Sequence, residues 1–221
     1  MEDIFNQPTE MVHIRDVSRQ QREIQRAAQL LKAGELVAFP TETVYGIGAL
    51  GLNAEAVERL YAAKNRPAGK AFSLQVANVN MIQQIAAYVP LMARKLLEKF
   101  APGPITVVLP KSAQVPELVT GGRDTVGIRI PDNPVALAVL QAVGAPLAVP
   151  SANISGHVSP KSGADVFGDM AGRLAMILDG GPCAIGREST IVECTGSKPV
   201  IIRHGAISDE EIYKTVAENL K

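Results

Sequence analysis

Apolar runs in this chain are short, and proline ends the clearest of them. Leu36 to Phe39 stops at Pro40, Leu147 to Val149 stops at Pro150, and Val126 to Ile130, apolar except for Gly127 and Arg129, stops at Pro131. Runs of this length are too short for core helices and fit buried strands. Proline cannot extend a sheet ladder, so each strand must hand over to a loop at its end. Further strand candidates are Phe72 to Val76, Ile105 to Leu109, and stretches near 174–178, 190–193 and 200–203.

Helical stripes alternate with these runs. Ile24, Ala27, Ala28 and Leu31 follow a Ser18/Gln21 capping-box pattern, and Ala56, Val57, Leu60 and Tyr61 follow Asn53. Asn133 and Pro134 open a helix carrying Ala136, Leu137, Leu140 and Val143. Gly34 and Gly144 stand where helix-closing glycines belong, and Ser208 with Glu211 caps a last amphipathic helix. Two short helices are expected around 80–87 and 90–100, before the break at Pro102-Gly103-Pro104, with a lead-in over 1–15 and a polar loop over 151–163. Mixed strands and helices predict an α/β (α+β) fold, a twisted mixed sheet flanked by helices, as a single domain over 1–221.

Composition narrows the function classes. Trp is absent and aromatics are 4% of the 221 residues, so a 47% apolar chain must build its core from Val, Ile, Leu and Ala. The 22 basic and 22 acidic side chains cancel, which argues against a chain-wide nucleic-acid footprint but leaves room for a local basic cleft. Cys183 and Cys194 have neither zinc-ligand nor Cys-x-x-Cys spacing and read as buried free thiols. Met1 to Gln7 is polar and partly acidic, unlike a signal peptide, and no apolar run approaches the ~18 residues that span a bilayer. A cytoplasmic location is the expectation.

Five segments carry chemistry. Pro40-Thr41-Glu42-Thr43-Val44-Tyr45-Gly46-Ile47-Gly48 follows a buried strand, where α/β proteins bind ligands; it reads equally as a tight, hydroxyl-capped turn. Lys64-Asn65-Arg66-Pro67-Ala68-Gly69-Lys70 lies past a helix C-terminus and suits either a phosphate clamp or dipole compensation. It is not a Walker A loop. In Thr125 to Pro131, Arg129 interrupts an apolar strand, so it must pair with a carboxylate of the protein or of a ligand. Pro150-Ser151-Ala152-Asn153-Ile154-Ser155-Gly156, continuing to Ser159-Pro160, is an anion cradle or a capped loop. Glu188-Ser189-Thr190-Ile191-Val192 and Arg203 could meet across a hairpin. His13, His157 and His204 match no metal spacing, and no Ser–His–Asp set is evident. Abundant hydroxyls and cations with few nucleophiles favour catalysis by positioning and charge stabilisation.

Taken in order, these segments resemble the YrdC-like domain family of threonylcarbamoyl-AMP synthases, with a match from about Glu35 to Arg203 and a C-terminal helix over 208–221. The resemblance implies a deep basic cleft on one face of the sheet. It implies a nucleotidyltransferase that makes threonylcarbamoyl-AMP and pyrophosphate from L-threonine, bicarbonate or CO₂, and ATP with Mg²⁺. The product would serve N6-threonylcarbamoyladenosine formation at tRNA position 37, through a separate threonylcarbamoyl transferase complex. By the same resemblance, Thr43, Gln75, Arg129, Val149 and Ser189 sit on the threonine side. Lys64, Arg66, Lys70, Thr125, Ser151, Asn153, Ser159 and Arg203 sit on the ATP side, with Arg66, Lys70 and Arg203 offsetting phosphate charge. Gln75 stands where many members carry His, and an amide cannot accept a proton at neutral pH. The larger family form adds a second domain, and this chain resembles the short form. Weak RNA binding is a further expectation, and the alternative reading is a double-stranded RNA or tRNA-binding module without ATP turnover. A third is a carbamoyl-adenylate enzyme using a different carbamoyl source.

Overall fold

The computed structural model describes residues 8–218. Among the described residues ten strands form one sheet: β1 (Glu10–His13), β2 (Val37–Phe39), β3 (Gly46–Leu50), β4 (Ser73–Gln75), β5 (Ile105–Pro110), β6 (Thr125–Arg129), β7 (Leu147–Ala148), β8 (Met176–Asp179), β9 (Thr190–Glu193) and β10 (Val200–Arg203). Their order is β1-β8-β2-β3-β7-β4-β6-β5-β9-β10. The β1/β8, β2/β8, β4/β6 and β5/β9 pairs are parallel and the others antiparallel, so the sheet is mixed as expected.

The described residues form seven helices: α1 (Gln21–Lys32), α2 (Ala54–Ala63), α3 (Leu91–Phe100), α4 (Glu117–Thr120), α5 (Pro134–Val143), α6 (Gly163–Met170) and α7 (Asp209–Ala217). α1 lies against α5, β2 and β3; α3 bridges β5 and α7; α6 covers β8. Strands that read as unbroken apolar runs are buried on both faces, as Val37, Ala38 and Phe39 show. The core is aliphatic, with Ile24, Leu31, Leu36, Ile47, Leu60 and Leu74 sealed from solvent. Cys194 is buried and Cys183 partly so, both as free thiols. Burial pushes them up to about 12 and about 11 respectively.

Local signals placed most helix ends correctly. Asn53 and Asn133 accept hydrogen bonds from first-turn amides, and Ser208 with Glu211 forms a full capping box. Gly34 and Gly144 leave their helices in left-handed conformation, at φ 84° and 70°. Other expectations need correction. The Ser18/Gln21 box does not form: Ser18 donates to Asp16, and α1 begins after Gln20 with no side-chain cap. The expected helix at 80–87 is a 3₁₀ segment, Val79–Gln84. In α5, Val135 and Val139 point inward where Leu137 was expected to; this helix is apolar nearly all round, so its period does not choose a face. Two helices were unforeseen: α4 has a single turn, and α6 starts inside the polar loop on a Ser162/Asp165 capping box.

Asn133 satisfies two first-turn donors of α5, at 2.9 and 3.2 Å. Asn133→Ala should cost about 1 kcal/mol. The urea midpoint should fall at unchanged m-value, and no shift would show that the cap contributes nothing.

Candidate functional site

A cleft of about 200 Å³ opens on the sheet face where β4, β6, β5 and β9 run side by side. Its walls come from the loop after β2 (Thr41 to Gly46), the segment before and within β4 (Ala71 to Gln75), the loop after β7 (Val149 to Ser151) and Glu188 to Ile191, with Arg66 and Arg203 at its edges.

The floor is a transverse row of side chains. Gln75 on β4 is the register partner of Arg129 on β6. The β5/β6 pairing Val107–Ile128 sets Thr106 beside Arg129, and Thr106 is in turn the partner of Ile191 on β9. All four line the cleft. Arg129 is 6% exposed, so its charge needs a partner, and the protein supplies one. Its Nη2 donates to Glu42 Oε1 at 2.8 Å and to Thr43 Oγ1 at 2.8 Å. Glu42 Oε2 accepts from the Asp132 amide. Arg129 Nε and Gln75 Oε1 are buried without a protein partner. A donor and an acceptor are therefore left for a ligand on neighbouring strands.

The Thr41–Gly46 loop is built to hold this arrangement. Thr41 Oγ1 donates to the Val44 carbonyl and shares a 2.8 Å bond with Thr43 Oγ1. Tyr45 ties the loop to its neighbours: its amide donates to Pro160, its carbonyl accepts from Ala152, and its phenol donates to Asp179 and the Gly181 carbonyl. Burial, with the Asp179 carboxylate beside it, raises the Tyr45 pKa well above its usual value. Gly46 is required by close approach, because a Cβ there would collide with Val149 Cγ1.

The cation side is more mixed than the sequence implied. Arg66 lines the cleft, its Nε and Nη2 donating to the carbonyls of Lys70 and Ala71 and its guanidinium lying 4.8 Å over the Phe72 ring. Arg203 grips Ser189, Nε to the carbonyl and Nη2 to Oγ, both at 3.0 Å. Burial lowers the pKa of both guanidiniums, though arginine stays charged. Ser151, Val149, Thr43 and Ser189 also line the cleft as expected.

Five expected contacts are placed otherwise. Lys64 is fully buried, its ammonium bonded to the carbonyls of Ser151, at 2.6 Å, and Asn153. It braces the Ser151 loop from behind instead of facing a ligand. Asn153 is likewise inside, Nδ2 donating to Ile154 and His157 carbonyls while Oδ1 is buried and unpaired. Lys70 is exposed and outside the lining, and its carbonyl accepts from Tyr61 and Arg66. Thr125 shares the Arg129 face of β6 but lies four residues nearer the strand's start, outside the lining. Ser159 stands one residue back, donating at 2.6 Å to Glu188 Oε1.

Sequence reasoning passed over Glu42, Tyr45, Thr106 and Glu188. The demand of Arg129 for a carboxylate was legible, but Glu42 is 87 residues away along the chain, and only the fold names it. Glu188, its pKa lowered chiefly by the Ser159 hydroxyl, puts one carboxylate in a lining with three guanidiniums. Among the described residues no group of three or more His, Cys, Asp or Glu could hold a metal ion. No described helix is long and apolar enough to cross a membrane.

Two outcomes follow from these bonds. Glu42→Ala leaves the Arg129 cation buried without its carboxylate and should cost about 3–5 kcal/mol in chemical denaturation; a loss under 1 kcal/mol would mean that water in the cleft already solvates the guanidinium. Burial, with help from Arg66, pulls Lys64 down to about 7 from the ordinary 10.5, while the Asp169 carboxylate acts the other way. A folded value below the unfolded one makes the unfolded chain bind more protons between those pH values, so stability should rise with pH from about 7 toward 10.5. Lys64→Met should lack that slope, and equal slopes in both proteins would show that the ammonium keeps its proton.

Comparison with known proteins adds a family context. The model Sua5_yciO_yrdC, described as "Telomere recombination", matches residues 29–205. A threonylcarbamoyl-AMP synthase of Pyrococcus abyssi is 45% identical over 88% of this chain and 57% of its own length. One from Bacillus subtilis is 43% identical over 91% of this chain and 58% of its own. The crystal structure of P. abyssi Sua5 complexed with L-threonine superposes with a TM-score of 0.90 at 42% identity, covering 96% of this chain and 62% of that one. The chain thus spans somewhat over half the length of these relatives.

Proposed function

The chain belongs to the Sua5/YciO/YrdC family, and from that premise we propose that it is an L-threonylcarbamoyladenylate synthase. It takes L-threonine, bicarbonate or CO₂, and ATP, and releases pyrophosphate. The observation that carries this reading is the pairing of a guanidinium floor with orphaned polar atoms. Arg129 Nε and Gln75 Oε1 have no protein partner although both are buried, as expected of groups reserved for a ligand. Arg66 and Arg203 stand at the edge of the same cleft, positioned for the phosphates of a nucleotide.

In this reading Arg129, Thr43 and Ser189 hold the amino acid, with Val149 and Gln75 beside it. The threonine amine adds to CO₂, losing a proton to give a carbamate. A carbamate oxygen attacks the α-phosphorus of ATP, the bond to the β-phosphate oxygen breaks, and pyrophosphate leaves with the electron pair. Arg66 and Arg203 offset the charge that gathers on the phosphates, and Ser151, bridged to Gly46 in the cleft wall, is a further phosphate or ribose contact. Lys70, Thr125 and Ser159 reach the nucleotide only from the rim. Lys64 and Asn153 act by shaping the Ser151 loop. Mg²⁺ accompanying ATP would neutralise phosphate charge; Glu188 is the one lining carboxylate that could meet it, so phosphates and water must supply most of its ligands.

The product serves threonylcarbamoylation of tRNA by a separate transferase, and a cytoplasmic location is part of this proposal. The double-stranded RNA-binding reading is less supported, because a zero net charge argues against a chain-wide nucleic-acid footprint. Pyrophosphate release from ATP should require both L-threonine and bicarbonate, and release indifferent to threonine would defeat the proposal. Arg129→Lys keeps a charge for Glu42 but loses the planar fork. It should raise the threonine KM about tenfold or more, with the ATP KM much less affected.

A further inference from the structure

We infer that Thr106 and Ile191 read the two branches of the amino acid's side chain, Thr106 through Ser189 for the β-hydroxyl and Ile191 for the β-methyl. The inference rests on the proposed synthase reading and gives that site its selectivity.

The argument begins with proton counting. Arginine only donates, so the 3.0 Å contact from Arg203 Nη2 makes Ser189 Oγ an acceptor. Ser189 Oγ and Thr106 Oγ1 are 2.8 Å apart and share one hydrogen bond. The pair has two hydroxyl protons and uses one between them. No acceptor among the described residues takes the other, although Thr106 and Ser189 are both 2% exposed. Both line the cleft. Whichever hydroxyl carries the free proton, the pair offers a single donor to whatever sits above it.

Position on the sheet supplies the rest. Thr106 flanks Arg129 across the β5/β6 ladder, and neighbouring side chains on one face stand roughly 5 Å apart. An amino acid whose carboxylate rests on Arg129 therefore carries its Cβ substituents over Thr106 and Ser189. One strand further, Ile191 is the register partner of Thr106 and presents the apolar member of the row. Running outward from Arg129, the row is cation, hydroxyl donor, then aliphatic surface. That sequence complements a carboxylate, a β-hydroxyl and a β-methyl, and neither serine nor a simple aliphatic amino acid satisfies all of it. A buried donor left unpaired penalises ligands that lack the hydroxyl more than a lost methyl contact would.

The test compares L-threonine, L-serine (no methyl) and L-2-aminobutyrate (no hydroxyl) by KM in the pyrophosphate-release assay, with ATP KM and melting temperature alongside. Thr106→Val leaves the Ser189 proton without the partner that aims it, so it should raise KM for threonine and serine several-fold, leave 2-aminobutyrate nearly unchanged, and be rescued by Thr106→Ser. Ile191→Ala should raise KM for threonine and 2-aminobutyrate several-fold and spare serine. A Thr106→Val loss shared equally by all three amino acids, or falling on ATP, overturns the hydroxyl assignment. A uniform Ile191→Ala effect overturns the methyl assignment. Should Thr106→Val fail to fold, Thr106→Ala and Ile191→Val carry the comparison, and unchanged ratios among the three amino acids in both would refute the inference. Wild-type turnover that needs no threonine would instead sink the functional reading itself, whereas wild-type dependence with unaltered ratios in the variants sinks only this inference.

Discussion

A guanidinium inside a β-sheet is the constraint around which the cleft is organised. Arg129 occupies an inward position of β6, and an isolated charge there would carry a desolvation cost that a small domain could not sustain. Glu42 resolves it with one carboxylate oxygen, and the other oxygen holds the Asp132 amide at the far end of β6. The pair thereby fastens the loop after β2 to the end of β6. Once that loop is fixed, Thr43, Tyr45 and Gly46 are fixed with it, and the adjoining wall from Val149 to Ser151, bridged to Gly46, takes its shape.

The same device recurs on a smaller scale. Lys64, buried behind the Ser151 loop, holds two backbone carbonyls, and Arg203 holds the backbone and hydroxyl of Ser189. Cations here spend donors on the protein's own loops and keep others for the cleft. This explains how a chain of zero formal charge can concentrate positive potential in one hollow. Compensating carboxylates such as Glu42 and Asp169 lie under or behind the walls, and Glu188 alone reaches the lining.

Much of the fold was readable because it is decided within a few residues. Asn133-Pro134 satisfies and pre-sets a helix start without reference to anything distant, and Pro40 and Pro150 stop strands for reasons internal to the backbone. Where two local solutions compete, the reading failed. Ser18 can cap a helix or close a turn on Asp16, and the turn wins. α6 was missed for the opposite reason: its Ser162/Asp165 box is a clear start signal, set in a stretch whose polar composition reads as loop.

The site divides along the same line. Sequence alone determined that Arg129 had to find a carboxylate, that hydroxyls and cations cluster after strand ends, and that an aliphatic core would carry them, since these follow from desolvation and from chain-local geometry. Tertiary structure alone decided that the carboxylate is Glu42, that Lys64 turns inward while Arg66 turns to the cleft, and that Thr106 lies between Arg129 and Ile191. Those are matters of strand order and register. A sheet arranged β4-β6-β5-β9 sets side by side residues that are scores of positions apart in the chain, and no local preference encodes which strand is neighbour to which.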